Sequence, residues 1–286
     1  MSLILAAMKK CPQCQTLLPL EARFCFQCGT LQLPVLTTST REGFDWHADW
    51  VAQAYKRFLQ RLEERVQAEQ EGAKLPGYQE RIRTTDYRET VMRRLQQWTD
   101  AHDTRTAPEQ PLAVLHELKI LLDDLLDFFF IMHAADLNVV VLPESILRYQ
   151  HVRTPQIDLA ELAFHYLAFE QEEERIYTDF ITMPVNKIRN AGKYFLFPDR
   201  QEKIWFICDQ SLLGNAKEGF AMTEKALYWK SGLQGAQRVF YHKLVSLQKE
   251  KEWLLINDLF FNATPSLNTK LIWLLRKLAR LFQAEL

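Results

Sequence analysis

Near Met183-Pro184 the spacing of the apolar residues changes from one period to another, and this limits the fold more than any other feature of the chain. Upstream, apolar residues recur at intervals of three and four, the period of a helix with one buried face. Downstream, short alternating apolar runs are separated by turn residues, and four of the nine glycines (Gly214, Gly219, Gly232 and Gly235) fall together. Helices followed by strands, rather than the two in alternation, predict a multi-domain α+β protein. Its 286 residues are a length for two domains and a small third.

In the upstream part Val51, Tyr55, Phe58, Leu59, Leu62 and Val66 predict a helix from Asp45 to about Gln70, ended by Glu71 to Gly77. Tyr87, Val91, Leu95 and Trp98 predict a second, with Thr84 or Thr85 as N-cap. A third is predicted over 112–134 and a fourth over 159–180, where Glu170-Gln171-Glu172-Glu173-Glu174 reads as its exposed face. Four helices of similar length predict an all-α bundle over 45–183.

In the downstream part strands are predicted at 203–208, 219–223, 226–230, 238–241, 244–248, 253–256 and 259–261, followed by an amphipathic helix from Ser266. Seven strands and a helix of this kind suggest a small bent barrel plugged by the helix, with Lys270, Arg276, Lys277 and Arg280 on its solvent face.

Four of the five cysteines lie in the first 28 residues: Cys11-Pro12-Gln13-Cys14, ten residues, then Cys25-Phe26-Gln27-Cys28-Gly29. Two Cys-x-x-Cys knuckles can complete a tetrahedron of thiolates around one cation, with each sulfur about 2.3 Å from it. Four protein thiolates leave no position for water, so such a site is structural, and a segment this short needs the metal in order to fold. The metal ligands are thus Cys11, Cys14, Cys25 and Cys28 and the cofactor one structural Zn2+, with iron the competitor for the same thiolates. Met8 is an alternative start that would open the chain at this motif.

Lys9-Lys10-Cys11-Pro12-Gln13-Cys14 followed by Ala22-Arg23-Phe24-Cys25-Phe26-Gln27-Cys28-Gly29 resembles the zinc ribbons that open many bacterial regulatory proteins, over 9–32. Residues 33–44, with Pro34 and Thr37-Thr38-Ser39-Thr40, read as a linker. The stretch from Leu213 to Lys230, with Tyr241-His242-Lys243-Leu244 and Leu255-Ile256-Asn257-Asp258, resembles the bacterial pleckstrin-homology-like domain over about 195–284. That likeness implies a PH-like β-barrel with a C-terminal helix over 193–286, and binding rather than catalysis.

The net charge of −1 is a cancellation: residues 1–41 carry +3, 42–186 carry −11 and 187–286 carry +7. Either the acidic and basic blocks have solvated faces, or they dock on each other or on a partner.

Catalytic patterns are sparse. His102-Asp103 lies in a polar segment, Glu161 and His165 form a single i, i+4 pair, and Asp123, Asp127 and His133 lie on neighbouring turns without a matched second set. With no nucleophile and base pair, phosphate loop or open metal site, the reading is a non-enzymatic zinc-ribbon adaptor that holds protein partners together. Nucleic-acid binding through Lys9, Lys10 and Arg23 is an alternative that the acidic bundle disfavours. Anionic-lipid binding through Lys217, Lys225, Lys230, Lys243, Lys249 and Lys251 is another; the set is thin, and peripheral membrane contact is not expected. Clustered cysteines, no signal-peptide pattern and no apolar run of membrane-spanning length fit a reducing cytoplasm.

Overall fold

The computed structural model describes residues 8–10, 14–19, 27–28, 43–102, 108–150, 156–232, 234–250 and 252–283. The chain is mixed α+β and divides into two compact units, Met1–Asp45 and Trp46–Leu286.

In the first unit β1 (Met8–Lys10) pairs antiparallel with β2 (Leu17–Pro19), with Lys10 opposite Leu17 and Lys9 opposite Leu18. Leu18 is buried and Leu17 exposed, the two-residue alternation of a strand with one covered face. Most of the predicted linker lies outside the described residues.

The second unit begins with α1 (Trp50–Glu69), capped by the Asp49 carboxylate, which accepts from the Ala52 N–H at 3.0 Å. Its inner face buries Ala54, Phe58, Leu62 and Val66; each large side chain there is worth about 1.5–3 kcal/mol over exposure. Next come α2 (Leu75–Thr84), α3 (Tyr87–Asp100) and α4 (Pro111–Phe128), the last running into a π turn over Phe129–His133. Two expectations are corrected here. The first helix ends before Glu71 as expected, but Pro76 and Gly77 also open α2, a helix not expected from the sequence, because a proline in the first helical turn gives up no helical hydrogen bond. The cap of α3 is Asp86, not Thr84 or Thr85, which close α2 instead.

The fourth predicted helix is cut short. It starts as expected, α5 (Leu159–Leu167) with Asp158 accepting from the Ala160 and Glu161 N–H groups, but ends where Ala168 turns left-handed (φ 44°). Beyond it the chain forms β3 (Arg175–Tyr177) and then α6 (Val185–Tyr194).

The seven expected strands appear as β4 (Ile204–Asp209), β5 (Gly219–Thr223), β6 (Ala226–Lys230), β7 (Gln237–Phe240), β8 (Leu247–Glu250), β9 (Trp253–Ile256) and β10 (Leu259–Phe261). They stand in two antiparallel sheets, β3-β4-β5-β6-β7 and β10-β9-β8. The barrel expected from the sequence is therefore open: a short helical turn at Tyr241–Lys243 breaks the ladder between β7 and β8.

One layer of core lies between α6 and the larger sheet, where Ala191, Phe195 and Leu196 meet Ile207, Ala221 and Tyr228. The closing helix, α7 (Pro265–Gln283), is covered on nearly every side: Leu267, Leu271, Ile272, Trp273, Leu274, Leu275, Leu278 and Leu281 are buried, but so are Asn268, Thr269, Lys270 and Lys277. A helix buried all round must satisfy its polar residues internally.

Candidate functional site

Cys14 lies in the turn that joins β1 to β2, with Lys10 and Leu17 as the last paired residues on either side. Gln15, immediately after it, is left-handed (φ 60°), a conformation that turns the chain sharply enough for a knuckle. The Cys14 Sγ and Thr16 Oγ1 are 3.1 Å apart, so the threonine hydroxyl can donate to a thiolate there. Cys28 is exposed in a turn with Gln27. Cys11, Cys25 and Arg23 lie outside the described residues, within which no group of three or more His, Cys, Asp or Glu side chains is placed to hold a metal. The donor at Cys14 and its turn suit a tetrahedral thiolate site.

The other candidate ligands and bases have structural employment. His102 Nδ1 is 2.8 Å from the Trp98 carbonyl and its Nε2 is 3.3 Å from Glu117; Asp103 lies outside the described residues. Tyr149 Oη is 2.5 Å from His165 Nδ1, while Glu161 is 4.0 Å from that ring and 3.4 Å from Arg148. His133 packs at a tilt against Tyr87, with ring centres 4.6 Å apart, and burial, aided by Arg81, lowers its pKa and favours the neutral ring. Burial raises the Cys208 thiol well above its ordinary pKa, as do Glu174 and Asp209 nearby, which makes it a poor nucleophile. An open groove of about 330 Å³ between α3 and α4 is lined by Tyr87, Thr90, Arg93, Arg94, Leu121 and Gln150. The Tyr87 hydroxyl there already donates to the Leu125 carbonyl.

Asp123 and Asp127 belong to an ionic junction, with the basic side chains of α7 on the opposite side. Arg61 forks onto Asp123 at 2.6 and 3.1 Å. Arg65 forks onto Glu69 at 2.9 and 3.1 Å and reaches Asp127 at 2.6 Å, with its guanidinium 5.0 Å from the Phe130 ring centre and 4.4 Å from that of Trp273. From α7, Arg276 pairs with Glu69, Arg280 approaches Asp123, Asp124 and Asp127 at 3.4–3.7 Å, and Lys277 donates to the Tyr149 carbonyl at 2.6 Å. Burial raises the Asp123 carboxyl, but Arg61 and Arg280 outweigh it and hold the pKa below the ordinary value.

The solvent face expected for α7 is therefore corrected: Arg276 and Arg280 face the carboxylates of α1 and α4, and Lys277 the Tyr149 carbonyl. The exposed acidic face expected at 170–174 is likewise corrected at Glu172, which binds Lys270 at 2.6 Å and accepts from Ser266 Oγ at 2.7 Å. The opposed charges of the two blocks were the sequence signal for this docking.

Of the lysines considered for lipid, Lys225 pairs with Asp199, and Lys230 with Glu218. Lys249 donates to the Glu69 carbonyl and to Thr269, Lys243 lies over Phe240, Lys217 lies over Tyr194, and Lys251 is outside the described residues. They do not converge on one loop.

No family model matches the chain, nor does any curated protein or solved structure.

Proposed function

We propose that the chain is a non-enzymatic cytoplasmic adaptor in which a four-cysteine zinc ribbon is attached to a larger body and the two together hold protein partners. The observation that carries this reading is the placing of Cys14: in the turn of a paired hairpin, followed by a left-handed residue and within hydrogen-bond distance of the Thr16 hydroxyl. Cys11, Cys14, Cys25 and Cys28 would be the ligands, and the zinc would supply folding energy to the ribbon and no reaction chemistry. A PH-like reading of 193–286 draws support from the order of four consecutive strands in one sheet, three in another and a closing helix.

Protein partners are favoured over polyanions because much of the basic C-terminal block is engaged within the chain. Lys249, Lys270, Arg276, Lys277 and Arg280 all have intramolecular partners. Metal analysis of the full chain tests the ribbon. One zinc per chain is expected, lost in Cys14→Ser; a folded wild-type chain containing no metal would overturn the reading.

A further inference from the structure

The turn between β4 and β5 carries two adjacent leucines almost wholly in water, Leu212 at 99% and Leu213 at 81% exposure. Exposure alone is ordinary for a single surface leucine, but two in succession on a well-fixed turn call for a partner surface.

The turn is held from beneath. The Gln210 N–H donates to the Glu218 carbonyl at 3.1 Å and closes its base. Asp209 Oδ1 accepts from Ser211 N, Ser211 Oγ and Ala216 N at 3.0, 2.5 and 3.1 Å. Ser211 Oγ in turn accepts from the Asn215 N–H at 2.8 Å, and Gly214 is left-handed (φ 61°) with its N–H on the Ser211 carbonyl. With its backbone fixed, the turn has little ordering entropy to lose when the leucines are buried.

Cations surround the base. The Arg175 guanidinium lies against Gly214. Lys217 ends the turn with its Nζ 5.4 Å from the Tyr194 ring centre, and Lys193 is 5.8 Å from the same ring. The Asn190 side chain of α6 donates to the Asn215 carbonyl at 2.7 Å, which fixes α6 beside the turn. All three cations are exposed, and among the described residues none forms an ion pair. The nearby carboxylates are engaged: Asp209 is buried with Lys187 3.6 Å away, and Glu218 pairs with Lys230.

We infer that the 210–218 turn is a membrane-contact site that inserts Leu212 and Leu213 among the acyl chains of an anionic bilayer while Arg175, Lys193 and Lys217 meet its phosphates. The bilayer is favoured over a protein groove by the order of the groups: apolar at the projecting end and cationic at the base, the order in which a bilayer presents acyl chains and headgroups. This site goes beyond the zinc ribbon and does not depend on it. It also differs from the scattered lysines considered from the sequence, sharing only Lys217 with them.

The test is flotation of the full chain with vesicles of phosphatidylcholine alone or with about a third phosphatidylserine, at low and at physiological salt. Binding to the anionic vesicles that weakens with salt is expected, with little to phosphatidylcholine. Leu212→Ser with Leu213→Ser should reduce it about tenfold or more, and Lys193→Glu with Lys217→Glu should abolish the preference for the anionic lipid. An unchanged thermal transition in each variant confirms that folding is intact. In Leu213→Trp the indole emission should shift to the blue on adding anionic vesicles. Absence of binding to anionic vesicles, undiminished binding by the double serine variant, or no spectral shift would each overturn the inference. Specific crosslinking from position 213 to a protein, with no vesicle binding, would also overturn it.

Discussion

Lys270 and Glu172 form an ion pair of 2.6 Å in which the two side chains retain only 1% and 4% of their exposure. The carboxylate also accepts from Ser266, and the ammonium lies 3.4 Å from Gln171 Oε1 and 3.5 Å from the Ala168 carbonyl, so both charges are solvated by protein. A pair so placed adds little over a well-packed apolar pair, but either charge left alone in that site is costly. Lys270→Met is therefore expected to destabilise the chain by about 3–5 kcal/mol, and Lys270→Met with Glu172→Leu by clearly less. Denaturant titration of both singles and the double measures the difference; additive losses would mean the two charges are not coupled.

Arg65 is held by two carboxylates and lies against two rings that touch each other, a geometry that depends on its planar, five-donor head. Lysine keeps the charge but can neither fork onto Glu69 nor stack as a plane. Arg65→Lys should lose at least ~2 kcal/mol, read by equilibrium unfolding monitored through tryptophan fluorescence, with Trp273 as a local reporter.

The depressed pKa of Asp123 makes stability depend on acid. A carboxyl whose folded value lies below its unfolded value, about 3.9, contributes stability at neutral pH and loses it as pH falls through the folded value. Asp123→Asn should therefore be destabilising at pH 7, and its difference from the wild type should shrink steadily below about pH 4. Unfolding curves from pH 7 to pH 2 would show this; a constant difference would contradict it.

Gly219 has a φ of +140°, and a Cβ there would stand 2.0 Å from the Cys208 carbonyl oxygen of the neighbouring strand. Gly219→Ala should cost roughly 2–4 kcal/mol, since backbone rather than a flexible side chain blocks the way. At Gly235 nothing lies within 4 Å, and the same change should stay within about 0.5 kcal/mol. Thermal melting of the two variants side by side makes the comparison.

If the four cysteines hold zinc, chelation should act on one unit and spare the other. Stripping the metal, or Cys14→Ser, is expected to leave the main unfolding transition of Trp46–Leu286 unchanged, because that unit is compact by itself. Calorimetry with and without chelator reads it directly.

Much of the secondary structure was legible because its signals are local. Alternation and turn residues located β4 to β10 within about three residues, and the period of Val51 to Val66 located α1. The fourth helix was overextended because Ile176 falls on a helical spacing, yet the backbone turns at Ala168 and Ile176 pairs with Cys208 in a sheet. That pairing depends on residues some thirty positions away, which no local pattern reports. The basic residues of α7 were misplaced for the same reason: spacing of three and four describes one helix, while their partners on α1, α4 and at Glu172 are remote in sequence. Only the opposed block charges carried that information, as a tendency without residues attached. The cysteine spacing is a pattern of the sequence alone; of its four members the structure describes Cys14, in a hairpin turn, and Cys28. The exposure of Leu212 and Leu213 has no local sequence signal, since the same two leucines would read as core residues in any apolar run.

The position of α7 in the chain has a consequence for synthesis. Its cations emerge from the ribosome after Glu69, Asp123, Asp124, Asp127 and Glu172 have all been made, at about 5–20 residues per second. Until then Asp123, Glu69 and Asp127 face Arg61 and Arg65 of α1, and a nascent chain stopped short of Pro265 lacks the apolar helix together with Lys270, Arg276 and Arg280, which complete the junction. The larger unit can therefore complete its ionic junction only once α7 has been made.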